Sequence, residues 1–148
     1  ALGEWEERFV QSGLTAVPTY PAEEAWIMAD GRHLWRVIDN LLSNCNKYAL
    51  EGTRIYIGVT VWEGQVRLSI KNVSRQALNI PAEQLMERFV RGEESRTTEG
   101  SGLGLSIART FTEACGGTFS VQTQADLFTA SVSFPLTRER PPKEESAV

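Results

Sequence analysis

Two stretches carry side chains whose types and spacing suit chemistry. In DNLLSNCNKYA, residues 39–49, Asn40 and Asn44 stand four apart and Lys47 three further on, so a helix puts all three on one stripe. Asparagine is a mediocre helix former because its amide competes for backbone hydrogen bonds, so two on one mid-helix face need a reason. A side-chain carbonyl offers an oxygen to a hard cation such as Mg²⁺, which keeps several waters and leans on substrate phosphates rather than a protein cage. Lys47 suits phosphate charge, and a solvated polar face accounts for the same stripe without any ligand. In EGSGLGLSIA, residues 99–108, Gly100, Gly102 and Gly104 precede an apolar, helix-like run. The dinucleotide fingerprint G-x-G-x-x-G needs a glycine where Leu105 stands and a preceding strand, whereas RGEESRTTE is polar and aperiodic. The Walker-type loop needs G-K-[ST], and no lysine follows. What remains is close backbone approach to a ligand, with free N–H groups at a helix start favouring an anion. A flexible loop before a core helix is the alternative.

The elements that must position these residues are legible from periodicity. Residues 3–12 read as a short helix, LTAVPTY (14–20) as an edge strand interrupted by Pro18, and AWIMA (25–29) as a brief strand. Asp30 is placed to cap a long helix over 31–49, with Leu34, Ile38, Leu41, Leu42, Cys45 and Ala49 as its apolar face. Residues 53–72 alternate as a β-hairpin: Ile55, Ile57, Val59 and Val61 on one arm, Val66, Leu68 and Ile70 on the other, with a turn at Glu63-Gly64. A short helical piece (83–89) and a polar loop follow. A helix over 102–115 then carries Leu103, Ile107, Ala108, Phe111 and Cys115 inward, with Gly116-Gly117 as its C-cap. A second hairpin turns near Ala125-Asp126, with Phe119 and Val121 facing Phe128, Ala130, Val132 and Phe134. The order predicts an α+β two-layer sandwich, a mixed, mostly antiparallel sheet covered on one face by helices.

The totals narrow the function classes. A chain of 148 residues, 41% hydrophobic and 23% charged, is globular, and its apolar runs fall short of a membrane span. A net charge of −4 without a Lys/Arg block argues against nucleic acid as a partner. Cys45 and Cys115 each sit in an apolar helical pattern and read as reduced thiols in a cytoplasmic domain; with a lone His33 they make no zinc site. The N-terminus is charged and amphipathic, unlike a signal peptide, and Ala1 in place of an initiator methionine suggests a piece of a longer protein.

Three ordered stretches, NLLSNCNKYA, LMERFVRG (85–92) and EGSGLGLSIA, resemble the N, F and G2 boxes of the ATP-binding domain of bacterial sensor histidine kinases, of the GHKL ATPase superfamily. The resemblance covers roughly residues 14–135. It implies a Bergerat-type ATP-binding domain over 13–136, preceded by a linker helix (1–12) and followed by a disordered tail (137–148). It implies ATP and Mg²⁺ as cofactors, with Asn44 as the metal ligand. Asn40, Lys47 and Arg91 would serve the transfer. Tyr48, Asn72, Gly100, Gly102, Leu103 and Gly104 would hold the nucleotide, with Phe89, Arg91 and Arg96 on or beside a lid over roughly 90–101. Asn40 sits where related ATPases place a water-activating glutamate. An asparagine takes up no proton at neutral pH, which suits passing phosphate to a protein.

The reaction implied is transfer of the ATP γ-phosphoryl group to a histidine on the protein's own dimerisation domain, and from there to a response regulator, in a dimer anchored at the inner face of the membrane. His33 lies outside any acceptor motif of the family. The sequence departs from the family at the G1 box, D-x-G-x-G. In KNVSRQALNIP (71–81), Asn72 takes the aspartate's place, and Ser74 and Gln76 take the glycines' places. An adenine amino group donating to Asn72 makes a bond without charge assistance, weaker by about 1 kcal/mol, so weak affinity or relaxed base preference is expected. A non-catalytic interaction module of the same fold and an anti-sigma-type serine kinase are the rival readings.

Overall fold

Helix α1, Leu2–Gln11, is amphipathic and turns Trp5 and Phe9 into the core. The computed structural model describes residues 2–78 and 103–137, with only the backbone of Leu103 and Gly104. Trp5 Nε1 donates to Asp39 Oδ1 at 2.8 Å, and the Arg8 guanidinium lies 4.5 Å over the Trp5 ring, so α1 is docked on the long helix. That helix, α2, runs Gly31–Tyr48. Asp30 caps it as expected: its backbone is extended, and its carboxylate accepts from the N–H groups of Arg32 and His33 at 2.9 and 3.3 Å. The bond from His33, then that from Arg32, hold its carboxyl below the usual range.

Strands β1 (Thr15–Thr19), β3 (Arg54–Trp62), β4 (Gln65–Val73), β5 (Thr118–Gln124) and β6 (Leu127–Thr137), with the two-residue β2 (Trp26–Ile27), form one six-stranded sheet. The order is β1-β3-β4-β6, with β5 and then β2 along the free edge of β6. Only β1–β3 is parallel among these pairs. Pro18 is tolerated because β1 is an edge strand. The turn of the first hairpin has positive φ at both Glu63 (48°) and Gly64 (76°), the primed geometry that matches strand twist.

Period-2 alternation sends Ile55, Ile57, Ile70, Phe128, Ala130, Val132 and Phe134 to the face covered by the helices, where all are buried. From α2, Val37, Leu41, Leu42, Cys45 and the C-cap Ala49 meet them, with Leu34 and Ile38 half-buried alongside. Val37 widens the expected stripe because α2 is flanked by a further helix, α3 (Leu103–Ala114), as well as seated on the sheet. The layer architecture is the two-layer α+β sandwich that the patterning predicts.

Helix α3, Leu103–Ala114, departs from its expected face. Leu105, Ala108 and Thr112 are its fully buried residues, whereas Ile107, Phe111 and Cys115 are half-buried. Thr112 interrupts the apolar spacing, so the stripe reads one notch off. The helix ends in a Schellman motif: Gly117 N–H donates to Thr112 C=O and Gly116 N–H to Glu113 C=O, with Gly116 at φ 80°. Gly117 has a second constraint, since a Cβ there lies 2.5 Å from the Phe134 ring and 2.8 Å from Ser133 O.

Candidate nucleotide site

The carboxyl half of α2 is tied to the carboxyl end of β4 by several backbone bonds. Leu50 N–H donates to Val73 C=O at 2.7 Å, Arg75 N–H donates to Tyr48 C=O at 2.9 Å, and Ala49 bridges Ser74. Ser74 N–H in turn donates to Asp126 C=O in the second hairpin turn. These bonds fix Tyr48, Ala49 and Leu50 beside Val73, Ser74 and Arg75.

Helix α3 packs along α2 in the opposite sense. Its carboxyl end meets the first turns of α2: the Phe111 ring lies 4.8 Å from His33, Arg36 reaches over Phe111 at 5.6 Å, and Cys115 Sγ is 4.0 Å from His33 Nδ1. The start of α3, Leu103 and Gly104, therefore lies toward the carboxyl half of α2, at the end where β4 and α2 are joined. The amide stripe and the glycine-bearing helix start share one side of the molecule. Gly100, Gly102, Arg91, Phe89 and Arg96 lie outside the described residues, as do the 83–89 helical piece, the whole lid and all but the first residue of the 137–148 tail.

Asn40, Asn44, Lys47 and Tyr48 are all half-buried, so the stripe is not a fully solvated face. Asn40 Nδ2 is buried and has no hydrogen-bond partner. An orphan N–H donor suits an anion or a water rather than a cation. Asn46 Oδ1 is likewise buried and unpartnered. Among the described residues no group of three or more His, Cys, Asp or Glu is placed to cage a metal. That donor set fits Mg²⁺ in its usual manner, one side-chain oxygen with waters and substrate phosphates completing the shell.

Asn72 holds a position that the strand's parity already implied. It shares the inward face of β4 with Ile70, is 1% exposed, and its Oδ1 accepts from Cys45 Sγ at 3.6 Å. Burial pushes the Cys45 thiol up to about 12, so it keeps the proton that it donates to Asn72. Reading Cys45 as a core thiol missed this pairing; the signal was the i, i+2 relation of Ile70 and Asn72. His33 packs on Phe111, in keeping with a structural role.

This arrangement, an α+β sandwich with an amide-bearing helix beside a glycine-led one, is that of a nucleotide-binding domain. The chain belongs to the histidine kinase-, DNA gyrase B-, and HSP90-like ATPase family, whose sequence profile matches residues 29–138. Its relatives include the sensor protein KdpD of Mycobacterium tuberculosis, 34% identical over 95% of this chain and 16% of that protein. The sensor histidine kinase YcbM of Bacillus subtilis is 32% identical over 88% of this chain and 42% of its own length. The catalytic domain of the histidine kinase ThkA superimposes with a TM-score of 0.75 at 25% identity, over 90% of this chain and 86% of that one. A full-length ShkA solved with AMPPNP shares the fold, with a TM-score of 0.73 at 22% identity over 95% of this chain and 29% of that one. The chain thus spans less than half the length of these curated relatives. No helix among its described residues is long and apolar enough to cross a membrane.

Proposed function

We propose that this chain binds ATP with Mg²⁺ between α2 and the start of α3, and delivers the γ-phosphoryl group to a histidine on a separate dimerisation domain of a two-component sensor kinase. The observation that supports the reading is the opposed packing of α2 and α3, with His33 and Arg36 in the first turns of α2 against Phe111 near the end of α3.

In this reading the Asn44 carbonyl supplies the protein oxygen to Mg²⁺. When bound, the metal neutralises phosphate charge during transfer. Lys47 adds a cation beside the phosphates. The orphan Asn40 Nδ2–H₂ donates to a phosphate oxygen or an ordered water and accepts no proton, so hydrolysis is not promoted. Tyr48 packs against the base. The N–H groups of Leu103 and Gly104, free at the first turn of α3, face phosphate charge with Gly100 and Gly102. Arg91 serves the lid. The acceptor histidine belongs to another part of the protein, since His33 packs among Phe111 and Cys115 at the opposite end of α2. A response regulator, a dimeric assembly and a membrane anchor complete the picture for the longer protein.

The engaged carbonyl of Asn72 favours one refinement. With its oxygen already accepting from Cys45 and its side chain 1% exposed, Asn72 offers an adenine amino group only a neutral, partly engaged acceptor. Relaxed base preference follows. The test is calorimetric titration with ATP and GTP, with and without Mg²⁺, on the parent and Asn44→Ala. Metal-dependent binding that Asn44→Ala abolishes supports the proposal. Absence of nucleotide binding overturns it in favour of a non-catalytic module.

A further inference from the structure

The face of the sheet turned away from the helices is built unlike an inert solvated surface. Its outward positions are Arg54, Tyr56, Thr60 and Trp62 on β3 and Gln65, Arg67, Ser69 and Lys71 on β4, continued by hydroxyls and amides of β6 and β5. Arg54, Arg67 and Lys71 are exposed, and none forms an ion pair among the described residues. Arg67 Nε donates to Ser133 Oγ at 3.3 Å, and the Ser69 and Ser131 hydroxyls bond each other at 3.0 Å. The carboxylates nearest by position, Glu51, Glu63 and Asp126, sit in turns at the ends of these strands. Register sets Lys71 opposite Tyr56, so Arg54 is its diagonal neighbour, with Cα atoms about 7–8 Å apart.

Two large aromatics stand on the same face, Trp62 at 74% exposure and Tyr56 at 43%. A depression of about 590 Å³ whose lining includes Lys71, Gln122 and Thr129 lies on the β4–β6–β5 side, at the Tyr56 end of the face and away from Trp62. Exposed aromatics among unpaired cations and hydrogen-bonding hydroxyls are the composition of a recognition surface.

We infer that this outer sheet face docks an acidic, extended segment of a partner protein. Arg67 and Lys71 lie four residues apart on one strand, about 13 Å, and carboxylates four apart in an extended segment have the same spacing. The exposed Thr60, Gln65 and Gln122 side chains supply partners for that segment's backbone. Nucleic acid fits less well: the chain carries a net charge of −4, which repels a polymer charged at every nucleotide but not a segment with a few matched carboxylates.

The test is calorimetric titration of the chain with a short peptide carrying two glutamates four residues apart in a Ser/Gly background, at low and physiological salt, against the Arg67→Glu, Lys71→Glu double variant. Circular dichroism checks its fold, and the milder Arg67→Gln, Lys71→Gln pair stands in if it fails to fold. The expected result is binding that weakens with salt and falls about tenfold or more in the variant, with Mg²⁺-nucleotide affinity unchanged. Equal binding by parent and variant, or no binding to the parent, overturns the inference. So does binding of single-stranded oligothymidylate in place of the peptide.

Discussion

The Cys45–Asn72 pair offers the sharpest check on how the inner end of the site is held. Replacing Cys45 by alanine strands a buried amide oxygen, at about 1–3 kcal/mol, and removes roughly one methylene's worth of packing, about 0.8 kcal/mol, for a total of about 2–4 kcal/mol. Cys45→Ser keeps a donor of similar size and costs about 1 kcal/mol. Asn72→Leu in the Cys45→Ala background removes both partners, so a double-mutant cycle by urea unfolding returns a coupling of about 1–2 kcal/mol. The thiol also sets a pH signature. Its pKa rises from an ordinary 9.0 to about 12 on folding, so between those values the unfolded chain binds fewer protons. Stability falls as pH climbs through that window, and falls less steeply in Cys45→Ser. Strict additivity in the cycle, with Cys45→Ala no worse than Cys45→Ser, would refute the reasoning that the thiol fixes the Asn72 amide.

Other substitutions probe the frame around the site. Asp30→Asn removes a carboxylate whose folded pKa is lowered by N–H donors, a contribution present above the ordinary value of 3.8 and lost as pH falls through the folded one. The parent should therefore lose more melting temperature than Asp30→Asn between neutral and acid pH. Gly117→Ala drives a methyl into the Phe134 ring and Ser133 O, and should cost about 1–3 kcal/mol by chemical denaturation. Phe9 is fully buried, so Phe9→Ala should cost about 3–5 kcal/mol; a negligible loss would mean that α1 contributes nothing to this core.

Much of the frame was readable because local chemistry and global packing agree there. Asp30, the Glu63-Gly64 turn and Gly116 each mark a boundary by a backbone requirement that few residues meet, and the helix and hairpin limits follow within a residue or two. Legibility failed where a neighbour decides. The expected strand at 25–29 shrinks to Trp26–Ile27 because only the end of β6, Leu136 and Thr137, is free to pair with it. The buried face of α3 runs through Thr112, a polar residue that a search for apolar spacing passes over. Val37 is covered because α3 lies alongside α2, a contact between segments far apart in the chain. At the site, spacing alone related Asn40, Asn44 and Lys47. The bond between Cys45 and Asn72 depends on β4 lying under α2, which no local pattern states.

The central claim is that a nucleotide seats between α2 and the start of α3. Amide-resolved NMR titration of the chain with the non-hydrolysable analogue AMPPNP and Mg²⁺ tests it most directly. The account predicts the largest shifts at Asn40, Asn44, Lys47, Tyr48 and the first turn of α3, with Arg67, Lys71 and the outer sheet face undisturbed. Saturating analogue that moves none of these amides, or only those of the outer face, would contradict it.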